Sequence, residues 1–284
     1  MSELRWGERT RVMGIINLTS DSFSGDGLAP PGRSQAEIVA AAIDQARGFV
    51  EAGAEILDVG AESSRPQQFY GEHPALDPEA EAAIAVPVVA ALAQTFAGKA
   101  MVSIDTTKGE VAWAALDAGA SIVNDVWAGR RDPGTIAAAA RADAHLVLMH
   151  NKDRADYPGG VFDEVVAWMR AAVEDAVAAG VRRERLIVDP GIGFGKTPAH
   201  SIELLHRLGE LKAAVGSLPL LVGTSRKRFL GELLDGAPPD ERLEGTAASV
   251  ALAIAAGADI VRVHDVARIT RVVRVADGIV RWQA

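Results

Sequence analysis

The feature that most constrains this chain is an alternation. Eight short, apolar, β-rich runs are separated by longer alanine-rich segments in which apolar residues recur at helical spacing. The runs are Arg11 to Asn17, Glu55 to Gly60, Met101 to Ile104, Ser121 to Asn124, His145 to Met149, Arg185 to Asp189, Pro219 to Val222 and Asp259 to Val263. Strands alternating with helices build a parallel sheet, since the chain must cross back before each new strand. Eight evenly spread units, with no composition break, linker or low-complexity segment, favour closure into one (β/α)8 TIM barrel over a doubly wound sheet. The 284 residues then form a single domain, 1–284.

Punctuation supports the helices. Ser34 with Glu37 three residues on reads as a capping box, and Asp77-Pro78 and Asp132-Pro133 each offer a cap followed by proline. Ile84, Val88, Ala91 and Leu92 share one helical face, as do Val165, Trp168, Met169, Ala172 and Val173, and these faces are expected to pack on the sheet as core. The glycine- and proline-rich stretch Gly25 to Arg33 reads as a long loop after the first strand, and such loops often serve a site.

Bulk properties exclude several function classes. A formal net charge of -9 argues against a partner bound by broad phosphate neutralisation, so no nucleic acid is expected. With no cysteine there is no disulfide, thiolate metal site or cysteine nucleophile, which suits a reducing cytoplasm. Met1 to Thr10 has mixed charge and lacks the apolar run of a secretory signal. The longest apolar stretches, such as Ala247 to Ala256, are too short to span a bilayer, so no membrane partner is expected.

The informative polar residues stand where the strands end: Asn17 with Asp21, Glu62 with Arg65, Asp105, Asn124 with Asp125, His150, Asp189, Ser225 with Lys227, and Arg262 with His264. An Asp or Asn after a strand is commonly a turn or cap residue. In a parallel barrel, however, all eight ends open on one face, so these groups converge on a single mouth. Other patterns carry less. Gly191 to Thr197 resembles a phosphate loop, but Pro190 stands where its first glycine is required. The six histidines have no metal-ligand spacing and read mostly as surface or turn residues, and Arg226-Lys227-Arg228 taken alone reads as a solvated helix start.

Gly14-Ile-Ile-Asn-Leu-Thr-Ser-Asp-Ser-Phe-Ser24 resembles the first signature of the dihydropteroate synthases, a family of pterin-binding TIM-barrel enzymes. Seven further segments follow in the family's order: Glu62 to Pro66, Ser103 to Thr106, Val123 to Asp125, Leu148 to His150, Asp189 to Lys196, Gly223 to Lys227 and Arg262 to Asp265. The resemblance covers about Arg11 to Val275 and implies a transferase of folate biosynthesis, joining 6-hydroxymethyl-7,8-dihydropterin pyrophosphate to p-aminobenzoate and releasing pyrophosphate. It implies a pterin site of Asp105, Asn124, Met149, Asp189, Gly223 and Lys227, and a pyrophosphate site of Asn17, Arg262 and His264. It also implies a p-aminobenzoate site of Ser64, Arg65, Pro66, Phe194, Ser225 and Lys227, with Asp105, Asp189, Lys227 and Arg262 carrying the catalysis. A magnesium ion contacting Asn17 and a homodimer formed through outer helices complete what it implies; the family is a sulfonamide target, and the sulfonamide sensitivity of this chain stays open.

The chain departs from the family pattern in three places. Gln67 to Leu76 is longer than usual and brings Phe69 and Tyr70 beside the expected p-aminobenzoate site, either as a tolerated insertion or as a change in that pocket. Ser20 replaces a usual proline, and Asn151-Lys152 follows His150 where another pair is common. Two alternative functions stay open: a pterin-dependent methyltransferase, which would have no need to keep Ser225-Arg-Lys227 together with Arg262-Val-His264, and a non-catalytic pterin-binding paralogue.

Overall fold

Eight parallel strands form one sheet: β1 (Arg11–Asn17), β2 (Ile56–Gly60), β3 (Met101–Asp105), β4 (Ile122–Asp125), β5 (His145–Met149), β6 (Leu186–Asp189), β7 (Leu221–Val222) and β8 (Ile260–Val263). The computed structural model describes residues 6–19, 27–30, 32–62 and 76–282. Each strand pairs with its sequence neighbours, and β1 pairs with β8, so the sheet curls into the expected (β/α)8 barrel. The ring closes between β6 and β7 through one parallel bridge, Val188 to Leu220, where the Val188 amide donates to the Pro219 carbonyl at 2.9 Å.

Successive side chains of a strand point to opposite faces, so every second residue faces the barrel axis. One apolar layer follows directly: Met13, Ile56, Met101, Ile122, Val147, Ile187, Leu221 and Ile260, one from each strand, pack against each other. Two positions further along each strand the same inward face carries Ile15, Asp58, Ser103, Asn124, Met149, Asp189, Gly223 and Arg262. The first layer plugs the barrel, and the second is mostly polar and forms the floor of anything bound above it. The alternate residues, among them Ile16, Leu57, Val59, Val102, Ile104, Leu146, Leu148 and Val188, are buried outward against the helices.

The helices supply that outer layer. On α1 (Gln35–Ala52), Ile38, Ala42 and Ala46 fall one turn apart and are buried, and the Ser34/Glu37 capping box forms as its spacing predicts. Asp77 caps α2 (Pro78–Thr95) through the Ala80 amide at 2.8 Å. After α3 (Gly109–Asp117) comes α4 (Gly134–Ala142), where the cap differs from expectation: Pro133 takes the N-cap position, and Asp132 works from one residue earlier, accepting from Gly134 at 2.8 Å. On α5 (Val161–Ala178), Val165, Met169, Ala172 and Val173 are core, as their spacing requires, with Trp168 partly buried beside them. The rest of the ring is α6 (Pro198–His206), α7 (Leu208–Ala214), α8 (Arg228–Leu233), α9 (Leu243–Ala255) and α10 (Val266–Val280). Among the described residues no helix is long and apolar enough to cross a membrane.

Candidate active site

The mouth at the C-terminal ends of the strands holds a cleft of about 410 Å³, counted out to its opening. Strand period alone places six of its walls, since Ile15, Asn124, Met149, Asp189, Gly223 and Arg262 all belong to the second inward layer. Phe194, Ser225, Lys227 and His264, from the segments that follow β6, β7 and β8, complete the polar and aromatic rim. Residues as far apart in sequence as Ile15 and His264 thus meet in one cavity, as the strand-end pattern requires.

Arg262 is the hub. Its Nε donates to Asp58 Oδ2 at 2.6 Å and its Nη2 to Asp105 Oδ2 at 2.7 Å, so Asp105 reaches the site through this guanidinium. Burial pushes the Asp105 carboxyl up to about 7 against the pull of Arg262, while the charges of Asp58 and Asp105 raise Arg262 despite its own desolvation. Asp189 is also buried and pushed up, restrained by Lys227 and by the Gly191 amide, which donates to it at 2.7 Å. Burial lowers the Lys227 ammonium to about 8, with Asp189 opposing and Arg262 assisting. That ammonium donates to the Ile192 carbonyl and lies 4.6 Å over the Phe194 ring, a cation–π contact at the cleft wall. Ser225 Oγ accepts from the His264 amide at 3.3 Å and lies 2.9 Å from its Nδ1, tying the ends of β7 and β8 together.

The loop after β6 is built by a backbone constraint. Gly191 has φ +66°, and a Cβ there would stand 1.9 Å from the His150 carbonyl oxygen, so only glycine lets this loop lie against the end of β5. Lys196 fixes the same loop from inside. It is buried, donates to the Phe194 carbonyl at 2.9 Å and lies 2.8 Å from His150 Nδ1, and burial holds its pKa well below the usual lysine value.

Several sequence expectations end elsewhere. His150 and His145 are core residues rather than surface or turn histidines; burial, then the neighbouring Lys196, pushes His150 down to about 2. Asp125 is a turn residue, accepting from the amides of Trp127 and Gly129 and from the Thr135 hydroxyl at 2.6 to 2.8 Å. Arg226 is no solvated helix start: it makes a two-pronged pair with Asp265 at 2.8 and 3.0 Å. Asp21, Ser64, Arg65, Pro66, Phe69 and Tyr70, and Gln67–Pro74 with Ala75, lie outside the described residues. Asp58 was not singled out by the sequence; its signal was a lone carboxylate inside the apolar run Ile56 to Gly60, where a wholly apolar strand would have been expected.

The expected magnesium ion at Asn17 is not upheld. Among the described residues no three His, Asp or Glu side chains converge as a metal site. A hard divalent cation needs several oxygen donors. The amide oxygen of Asn17 accepts instead from the Thr19 amide at 3.2 Å, and the carboxylates of Asp58 and Asp105 are already engaged by the Arg262 guanidinium.

A sequence model described as pterin binding enzyme matches residues 13–264. The dihydropteroate synthase of Synechocystis is 43% identical over 97% of this chain and 92% of its own length, and that of Mycobacterium leprae is 44% identical over 90% and 88%. Among solved structures, the Clostridium difficile dihydropteroate synthase, obtained in the presence of pteroic acid, superposes with a TM-score of 0.89 at 38% identity, covering 99% of this chain and 100% of that one. The Xanthomonas albilineans enzyme with 4-aminobenzoic acid gives 0.84 at 36% identity, covering 97% and 94%. Matched end to end in sequence and in fold, the chain belongs to the dihydropteroate synthase family, transferases built on a pterin-binding barrel.

Proposed function

We infer that this chain condenses a dihydropterin pyrophosphate with p-aminobenzoate, giving dihydropteroate and pyrophosphate. One observation carries the reading: acceptors suited to a heterocycle edge (Asn124, Asp189) and cations suited to an anion (Arg262, Lys227) share one cleft with the aromatic ring of Phe194. A 2-amino-4-oxopterin edge presents both donors and acceptors, so Asp189, Asp105 and the amide oxygen of Asn124 accept its N–H groups while Lys227 serves the remaining edge. Met149 and Gly223 flank it, Met149 supplying apolar contact and Gly223 close approach of backbone.

Arg262 and His264 hold the diphosphate, with Asn17 at the neighbouring strand end; a guanidinium disperses its charge over two oxygens at once. Phe194, Ser225 and Lys227 receive the aminobenzoate, whose carboxylate meets the cations and whose ring meets the phenyl wall. Ser64, Arg65 and Pro66 complete that site by resemblance to the family. In the reaction the methylene C–O bond breaks and its electron pair leaves with pyrophosphate. The arylamine lone pair then forms the C–N bond, and the nitrogen proton passes to the diphosphate or solvent. Asp105 and Asp189 stabilise the positive charge that builds on the pterin between these events, and Arg262 and Lys227 stabilise what departs.

Supplying dihydropterin pyrophosphate and p-aminobenzoate and following both products tests the reading. Stoichiometric dihydropteroate and pyrophosphate are expected; substrate binding without either product would instead make the chain a pterin-binding paralogue. The complete lack of cysteine suits work in the cytoplasm, with residues 1–284 as one domain. The assembly is a homodimer: Leu252 on α9 and Val275 and Ile279 on the adjoining α10 are 71%, 64% and 72% exposed, an apolar surface that a second copy would cover.

A further inference from the structure

Asp58 does not itself line the cleft, yet it holds two residues that do. It is fully buried in the middle of β2, and a single oxygen, Oδ2, accepts from Arg262 Nε at 2.6 Å and from Asn124 Nδ2 at 3.1 Å. Both partners line the cleft, on strands that lie on opposite sides of β2 in the sheet order. A carboxylate paired with a guanidinium can only accept, so it fixes which end of the Asn124 amide faces it. The NH2 group turns toward Asp58, and the amide oxygen is set at the other end of the planar amide as an acceptor for a ligand N–H. The same oxygen fixes Arg262 at Nε, leaving its outer nitrogens to Asp105 and to an anion.

We propose that Asp58 is a positioning residue that couples the two halves of the site, setting the amide of Asn124 for the heterocycle and the guanidinium of Arg262 for the diphosphate through one shared oxygen. This rests on the reading of the cleft given above. A residue that served stability alone would change how much protein folds and leave the affinity of the folded fraction untouched. A positioning residue changes affinity at two places it does not contact. Replacing Asp58 by asparagine keeps its shape but removes its negative charge: the shared oxygen becomes a neutral acceptor, and because the amide can be turned either way, Asn124 is no longer held in a single orientation.

The test is calorimetric binding of 6-hydroxymethylpterin and of inorganic pyrophosphate, separately, to the whole folded chain, together with the KM for p-aminobenzoate. Asp58→Asn is expected to weaken both the pterin and pyrophosphate by about tenfold or more, the loss of a charge-assisted hydrogen bond, with the p-aminobenzoate KM within about twofold. In an Arg262→Ala background the same change should cost no further pyrophosphate affinity, and in an Asn124→Ala background no further pterin affinity, because Asp58 acts through those side chains. Additive losses in both backgrounds, or unchanged affinities in Asp58→Asn, overturn the proposal. If Asp58→Asn does not fold, the smaller Asp58→Ser is measured in the same way, and failure of both to fold would make Asp58 a purely structural carboxylate. A wild-type chain that binds neither ligand removes the reading of the cleft itself and this inference with it; a wild type that binds both beside an unaltered variant removes the inference alone.

Discussion

Arg262 and Lys227 are both cations of the cleft, but they respond differently to pH. A guanidinium does not titrate in the accessible range, whereas burial brings Lys227 down to about 8. Above pH 8 its charge is therefore lost from the cleft. Asp105, raised by burial to about 7, becomes neutral below that pH and ceases to oppose the charge of Arg262. The expected kcat/KM for the pterin substrate is bell-shaped, falling below about pH 7 and above about pH 8. Lys227→Arg should remove the alkaline limb at a lower plateau, and a limb that stays in place would exclude Lys227 as its source. The linkage to stability follows the sign of the Asp105 shift: a carboxyl raised on folding contributes stability below its unfolded value near 4, and this is lost as pH rises through about 7. Lys227 has the opposite history, a penalty present below about 8 and relieved as pH rises toward its ordinary value of 10.5. Of these groups, Asp189, Lys227 and Arg262 were legible in the sequence because they stand at or beyond strand ends. Asp58 was not, because a carboxylate in mid-strand is recognisable only when register shows that its face is the barrel axis.

At the level of elements, the strand runs read from apolar, β-rich composition agree with the observed strands to within two residues at each end, since that composition and the flanking turns fix both limits. Junctions were harder to read. Lys108 precedes α3, and its ammonium meets the carboxylates of Glu62, beyond β2, and Glu81, on α2. Three consecutive units are therefore tied by one side chain, and this contact has no local sequence signal because its partners lie 27 and 46 residues away. Glu81 is 1% exposed, so Lys108→Met should leave a buried carboxylate uncompensated, at a cost of about 3 kcal/mol. Denaturant unfolding would measure it. Adding Glu81→Gln removes the orphaned charge, and the double variant is expected to regain part of the loss; a single variant within about 1 kcal/mol of wild type would show that the pair carries little. The reverse error appears at Asp125, a strand-end aspartate that belongs to its own turn.

For the whole molecule, the alternation of strands and helices was enough to give the barrel, because eight crossover units leave few other ways to bury eight apolar strands. What repetition could not reveal is which outer faces stay uncovered. Those of α9 and α10 do, and sedimentation of the wild-type chain is expected to give a dimer while Ile279→Glu gives a monomer with its barrel intact; a wild-type monomer at micromolar concentration would refute the assembly. The ring itself is uneven. Between β6 and β7 it is joined by the Val188–Leu220 bridge alone, and directly above that gap the Lys227 ammonium reaches from the β7 side to the Ile192 carbonyl on the β6 side. That contact is a buckle across the thinnest stave joint. An anion that recruits Lys227 must either share the ammonium with Ile192 or undo the buckle, so occupancy of the cleft and tightness of the drum are mechanically linked.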